Sequence, residues 1–389
     1  MFFTAPFFYG FDYLLSEERN MKTDLKIAGD YLDMIVMHPA SPDEVPGGEY
    51  FYEWDGTEEY SSKKYACSVE KQPDRDFVIL NFADIQCHDG EAFCHVGEFS
   101  EETMDKLIRR TKPDLITLTG DNAFDPFAYL RLIDFLERYS VPWAPVMGNA
   151  DHTGLVSEFW ADYRLSHAKH CLFRCGPKGM GDGNYIINIT ENGRPVHTLF
   201  MMDSHHEETQ KKGSYDHFTA DQLRWYEWAV KGIAAENGAS VPSSVYMHIP
   251  VPEYRDAWES IHDRETGNLI PEFASAPFCK VHESYGFPLF NNGFFALCKK
   301  LGSTKNMLCG HDHKNCFSIP YDGITLTYAM KTGYGCYWER ETNGGTTLTV
   351  RSDGSTVTEH HYIDPEESSV KMFMLEYYGK NLYNRHYGD

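Results

Sequence analysis

Six apolar runs that each close on polar residues organise the middle of the chain. They are FVILNFAD (77–84), DLITLTGD (114–121), WAPVMGN (143–149), HTLFMMDS (197–204), SSVYMHIP (243–250) and NMLCGH (306–311). These continuous runs suit strands buried on both faces. Between them stand stretches with helical spacing. SEETMDKLIRRT (100–111) is expected to open at Ser100 with a glutamate close behind, AYLRLIDFLERYS (128–140) follows, and TADQLRWYEWAVKGIAAE (219–236) has Thr219 and Gln222 at capping-box positions. Strands alternating with helices predict an α/β fold with helices packed on central sheets. Near the end, TTLTVRSDGSTVTEHHYI sets two β-rich runs about an Asp-Gly turn, a hairpin pattern. Residues 1–75 are polar and acidic with scattered aromatics, and predict an extension of short strands or a lid. The main domain is expected over 76–365, including the hairpin, and a tail over 366–389.

The chemistry lies where the runs end, because ligands of open α/β sheets bind just beyond the carboxyl ends of the strands. In chain order those ends carry Asp84 with Gln86, Asp121, Asn149, His248, and His311 with His313. All are oxygen or imidazole donors, a set that suits Mn, Fe, Zn or Mg. One such residue could be a satisfied capping group. A series of them is different, since each buried polar group without a partner costs several kcal/mol by order of magnitude, and cations are the simplest partners.

Composition narrows the functional classes. The chain of 389 residues is 42% hydrophobic, enough for one large domain or two modest ones. Its formal net charge of -23 repels phosphate backbones and anionic lipid surfaces, so neither nucleic acid nor a membrane is the expected partner, while divalent cations are attracted. The ten cysteines lack the dense regular spacing of a disulfide scaffold and are expected as buried thiols; the pair Cys171 and Cys175 has no second pair to complete a zinc site. The opening segment has no basic leader and carries Asp12, Glu17 and Glu18, and no run approaches the roughly 20 apolar residues of a spanning helix, so a cytoplasmic protein is expected.

Asp84-Ile85-Gln86, Gly120-Asp121, Gly148-Asn149, His248-Ile249-Pro250 and Gly310-His311-Asp312-His313 stand in an order and spacing that resembles the calcineurin-like metallophosphoesterases over about residues 77–340. VYMHIPVPEY and KTGYGCYW look like the branch related to purple acid phosphatases and the fungal serine/threonine phosphatase group. The resemblance implies a four-layer α/β/β/α sandwich with two central mixed sheets and two divalent metal ions. By position Asp121 would bridge them, Asp84, Gln86 and His313 would complete one ion, and Asn149, His248 and His311 the other. Paired cations of this kind clamp phosphoryl oxygens and supply hydroxide at neutral pH. The implied activity is hydrolysis of a phosphomonoester, in a small molecule or a phosphoprotein.

The sequence departs from that pattern at three places. Gln86 stands where the family usually has histidine, a weaker ligand that favours Mg or Mn and resembles the branch of manganese-dependent ADP-ribose and CDP-alcohol diphosphatases. A nucleotide-type diphosphatase or phosphodiesterase is therefore the alternative within the enzyme class, and His88 could approach the same ion. Phe124 occupies the place of the tyrosine of purple acid phosphatases. After Asn149 the chain has Ala150-Asp151-His152 instead of histidine directly, so His152, oriented by Asp151, is the candidate leaving-group acid. The altered segment also motivates a non-catalytic metal-binding interaction module. His205 and His206 are candidates to line the phosphate pocket, and Tyr254, Tyr334 and Tyr337 to border the cleft, where an aromatic could stack on a leaving group.

Overall fold

The structure, a computed structural model, describes residues 51–87, 94–153, 158–207 and 215–364. In chain order the first elements are β1 (Phe51–Tyr52), α1 (Ser62–Tyr65), β2 (Ala66–Glu70), β3 (Phe77–Phe82), α2 (Cys94–Thr111), β4 (Leu115–Thr119), α3 (Pro126–Glu137), β5 (Trp143–Val146), α4 (Asn149–Thr153) and α5 (Glu158–His167). There follow β6 (Gly176–Pro177), β7 (Tyr185–Glu191), β8 (Arg194–Met201), α6 (Ala220–Asn237), β9 (Ser243–Tyr246), α7 (Glu253–Ser260), α8 (Pro271–Ala274) and β10 (Lys280–Val281). The last are α9 (Phe294–Leu301), β11 (Thr304–Cys309), β12 (Asn315–Tyr321), β13 (Ile324–Tyr328), β14 (Gly344–Val350) and β15 (Thr356–Tyr362).

Two mixed sheets carry the fold. A five-stranded sheet runs β15-β14-β3-β4-β5, with β3, β4 and β5 parallel, β14 antiparallel to β3 and β15 antiparallel to β14. An eight-stranded sheet runs β10-β12-β13-β11-β9-β8-β7-β2, with β8, β9, β11 and β13 parallel at its centre. Each apolar run quoted above supplies one of the parallel strands. Their neighbouring residues point to opposite sides. Ile187, Leu199, Met201, Tyr246 and Leu308 pack into the cluster that also holds Ile79, Leu80, Ile116, Leu118 and Val146 of the smaller sheet. The alternate residues Ile186, Phe200, Val245, Met307 and Cys309 pack with Trp225, Tyr226 and Ile233 of α6, Tyr254 of α7 and Phe294 of α9. On the far side of the smaller sheet, Leu107 of α2, Leu132 and Leu136 of α3 and Trp160 of α5 close the core. The layers are thus helix, sheet, sheet, helix. Strands wet on one face would not need continuous apolar runs; these bury both, each aliphatic side chain contributing roughly 1.5–3 kcal/mol.

Local signals set several boundaries. Helix α6 opens on a capping box in which Thr219 Oγ1 accepts from Gln222 N and Gln222 Oε1 accepts from Thr219 N, and it ends on Gly238 in the left-handed region. Helix α3 is capped by Asp125, whose Oδ1 accepts from Ala128 N. The hairpin turns at Asp353-Gly354, with Gly354 at φ 77°. Helix α2 corrects the expectation of a start at Ser100: it begins at Cys94. Ser100 sits inside it, and its hydroxyl accepts from Tyr334 N at 3.2 Å, serving a neighbouring loop instead of a helix end. Before Phe77 the described residues supply β1, α1 and β2, the last an edge strand of the larger sheet beside β7. The tail expected over 366–389 and the first 50 residues lie outside the described residues. Among the described residues no helix is long and apolar enough to cross a membrane. Cys171 and Cys175 are buried free thiols, as is Cys309.

Candidate metal centre

The parallel strands of both sheets end at one edge of the sandwich, and the loops that follow interlock. Gln86 N donates to Asp121 O at 2.8 Å, and His311 N donates to the Asp84 carboxylate at 3.0–3.1 Å. Asp84, Gln86, Asp121 and His311 all have positive φ, at 51°, 46°, 52° and 81°. Backbone of that kind costs on the order of 1 kcal/mol or more per residue outside glycine, and it persists where the surroundings impose it. Here it turns each side chain inward from the end of its strand. Glycines precede Asn149 and His311 because the loops are too close for a Cβ: one on Gly148 would lie 2.4 Å from Asp121 Oδ1, and one on Gly310 2.5 Å from Asp84 Oδ2.

Carboxylate and imidazole atoms of Asp84, Asp121 and His313 lie within 4.8 Å of one another, all buried. His313 Nδ1 donates to Tyr337 O at 2.7 Å, so its Nε2 lone pair faces Asp84 Oδ1 at 3.5 Å. His248 is held the same way, with Nδ1 on Thr119 O at 2.8 Å. Its Nε2 meets Asn149 Oδ1 at 3.0 Å, Asp121 Oδ1 at 3.2 Å and His311 Nδ1 at 3.1 Å. Asp121 is therefore shared between two donor clusters. Burial opposes charge on Asp84, but His313, His248 and Lys331 outweigh it and hold the carboxyl well below its usual range. Burial likewise depresses His248, yet Asp121 and Asp84 leave it net raised; His311 is pushed down by burial and by His248. Buried carboxylates, oriented imidazoles and an amide oxygen match the donor chemistry of hard or borderline divalent cations, with Asp84, Asp121 and His313 as the candidate group.

Gln86 lies at this centre in an orientation the sequence does not reveal. Its Nε2 donates to Asp121 Oδ2 at 2.8 Å, while its Oε1 accepts from Lys331 Nζ at 2.9 Å. Its oxygen thus faces a lysine and not the carboxylates. His88 lies outside the described residues. His152 falls within α4, and its side chain is likewise outside them. Asp151 is brought close, with different work. Its carboxylate accepts from Asn122 N and Nδ2 at 2.9 Å each, Gly148 N at 2.8 Å, Ala123 N at 3.2 Å and Tyr129 Oη at 2.5 Å. It ties the loop after β4 to the loop after β5.

The other candidates divide. His205 is turned to the start of α6: Nε2 donates to Gln222 Oε1 at 2.8 Å, and its backbone N to Asp203 Oδ1 at 2.8 Å. His206 is half-buried and accepts from Asp216 N through its carbonyl. Tyr254 is fully buried in the helix-side core and donates to Met307 O. Tyr334 packs edge-on against Trp338 with its hydroxyl on Thr103 of α2. Phe124 pairs its backbone N with Cys87 O. Tyr337, by contrast, is 43% exposed and lies tilted against His313, ring centroids 4.1 Å apart. Two residues had no sequence signal: Lys331, and Tyr215, whose ring meets His311 edge-on at 4.3 Å. One tyrosine among 25 gives nothing to select it by.

A helix-sheet-sheet-helix sandwich with this donor set at the strand ends defines a metallophosphoesterase-type protein, and comparison with known proteins agrees. The chain belongs to the calcineurin-like phosphoesterase family, whose family model matches residues 77–315, more than half of its length. It is similar to Phosphatase DCR2 of Saccharomyces cerevisiae, at 26% identity over 75% of this chain and 54% of that one. It is similar too to a probable inactive purple acid phosphatase 28 of Arabidopsis thaliana, at 27% identity over 60% of this chain and 63% of that one. The chain therefore spans between half and two thirds of the length of these relatives. Among solved structures, a dimetal phosphatase from Danio rerio aligns over 72% of this chain and 98% of that one, at 12% identity and a TM-score of 0.43; the fold assignment rests on strand order and not on that likeness.

Proposed function

We propose that the chain is a binuclear metal-dependent phosphohydrolase acting on a phosphomonoester, in a small molecule or a phosphoprotein. The observation that carries this reading is the sharing of Asp121: Oδ1 lies 3.2 Å from His248 Nε2, the atom that Asn149 and His311 also meet, and its carboxylate groups with Asp84 and His313. Asp84 and His313 would hold one divalent cation, Asn149, His248 and His311 the other, with Asp121 common to both. Bound there, two cations supply charge neutralisation for the phosphoryl oxygens and acidity for the attacking water. The residues of the chain do the rest. Thr119 O and Tyr337 O accept from Nδ1 of His248 and His313, which orients the rings so that Nε2 of each is turned to where a cation would sit. Tyr337, exposed beside His313, offers the leaving group a ring face. Ala150 stands where a leaving-group acid is usual, which leaves esters with good leaving groups, or an acid supplied by His152 or the substrate.

Ala150 also favours a second reading, a metal-binding interaction module without turnover, consistent with relatives whose names include the word inactive. The two are separated by hydrolysis of p-nitrophenyl phosphate, bis-p-nitrophenyl phosphate and ADP-ribose by chelator-stripped protein reloaded with Mn, Mg, Zn or Fe. The expected result is metal-restored turnover, greatest on p-nitrophenyl phosphate, that Asp121→Asn lowers at least about 100-fold. Binding of two ions with no turnover on any substrate would overturn the enzyme in favour of the module.

A further inference from the structure

Lys331 is buried to 1% exposure at the base of the centre, in a segment that packs directly on the loop bearing Asp84 and Gln86. Residue 331 forms a bridge with Ala83, Thr332 N donates to Ala83 O at 2.8 Å, and a Cβ on Gly333 would fall 1.8 Å from Ile85 O. The ammonium donates to Asp84 O at 2.6 Å and to Gln86 Oε1 at 2.9 Å. An ammonium can only donate, so the amide oxygen of Gln86 must face it, and the amide N–H must then face Asp121 Oδ2 at 2.8 Å. The reverse orientation would set N–H against ammonium and oxygen against carboxylate.

We infer that Lys331 is a positioning residue that withdraws Gln86 from the ligand set, converting a would-be ligand into a hydrogen-bond donor to the shared Asp121. This rests on the binuclear reading above. The first ion then has three protein ligands, Asp84, Asp121 and His313. The second has four, Asp121, Asn149, His248 and His311. Unequal ligand numbers make the sites unequal in affinity, and the two ions load in two steps, the four-ligand site first.

Site-resolved Mn(II) binding by calorimetry tests the inference on the full chain, with His313→Ala and His311→Ala assigning the steps. Gln86→Ala is expected to weaken both steps by a similar factor of about 3 to 10, because its partner Asp121 serves both ions. Lys331→Met frees the amide to rotate and is expected to tighten the weaker step at least about 10-fold, and Lys331→Met/Gln86→Ala to erase that gain. A Gln86→Ala loss confined to the weaker step would overturn the inference, since Gln86 would already be a ligand. So would a Lys331→Met gain that survives in the double variant, which is charge removal alone, or no gain at all. If Lys331→Met does not fold, the comparison of both steps in Gln86→Ala decides. Failure of the wild-type protein to bind two ions would remove the metal centre itself, a result distinct from any of these.

Discussion

At the scale of single residues, the chain concentrates backbone strain and buried charge where the candidate ligands sit, and buried neutrality elsewhere. His197 illustrates the latter. It is fully buried in β8 between Gly354 O at 3.2 Å and Ser244 Oγ at 2.8 Å, and burial pushes it down to about 4 from an ordinary 6.5. The unfolded chain therefore takes up this proton before the folded one does. Its contribution is complete above about pH 6.5 and is lost progressively as the pH falls towards 4. At roughly 1.4 kcal/mol per pH unit of difference, the loss by pH 4.5 is on the order of 2–3 kcal/mol. Urea unfolding at pH 7 and 4.5 should show His197→Gln losing less stability on acidification than the wild type by that amount; equal losses would mean that His197 is not held neutral. Residues of this kind are silent in the sequence. The convergence of Asp84, Asp121, Asn149, His248, His311 and His313 was legible because a polar residue closing a continuous apolar run has few other uses. The orientation of Gln86 was not, because it is dictated by Lys331, 245 residues away in the chain. Whether Tyr254 and Tyr334 border the cleft or pack was open in the sequence for a related reason: adjacency to a motif says nothing about which side of a helix or loop a ring is turned to, and both are buried.

At the scale of elements, the site depends on loops that hold one another more than on the strands that deliver them. Asp151 is the strongest of these ties, with donors from the Asn122-Ala123 turn after β4, from Gly148 after β5 and from Tyr129 of α3 converging on one buried carboxylate. Hydrogen bonds to charged groups contribute roughly 1.5–3 kcal/mol each but are not additive within one cluster. Asp151→Ala is expected to cost about 4 kcal/mol, lowering Tm by about 5 °C. It should also weaken Mn(II) binding, since Ala150 N, which donates to Asp121 Oδ1 at 2.8 Å, sits in the displaced loop. If Asp151→Ala instead keeps its Tm and loses only turnover, the carboxylate acts on a catalytic group such as His152 and not on the loops. The six strands supplied by the apolar runs, by comparison, were legible, as were α6 with its capping box and the β14-β15 hairpin, whereas β7, β12 and β13 were not singled out. Helix α2 was misjudged because Ser100, a good capping residue by type, is used by Tyr334 N from a distant loop.

For the whole molecule, a formal net charge of -23 surrounds a centre that concentrates further negative charge in Asp84 and Asp121. Such a field favours cations and opposes polyanions, so the two kinds of ligand must respond to salt with opposite sign. Cations bound to the folded chain alone stabilise it by RT ln(1 + [L]/Kd), about 2.7 kcal/mol at a hundredfold excess over Kd. For a domain of this size that corresponds to a rise in Tm of about 3 °C when chelator-stripped protein is reloaded with Mn(II). The gain should shrink in Asp84→Asn, which removes one carboxylate charge from the three-ligand site, and should shrink further as KCl is raised at fixed Mn(II). Under the same increase in KCl, the KM for a phosphorylated substrate should fall, because screening weakens its repulsion by the acidic surface. Parallel salt responses would mean that the field at the site is set by the local centre alone, with the acidic exterior contributing nothing to the capture of either ligand.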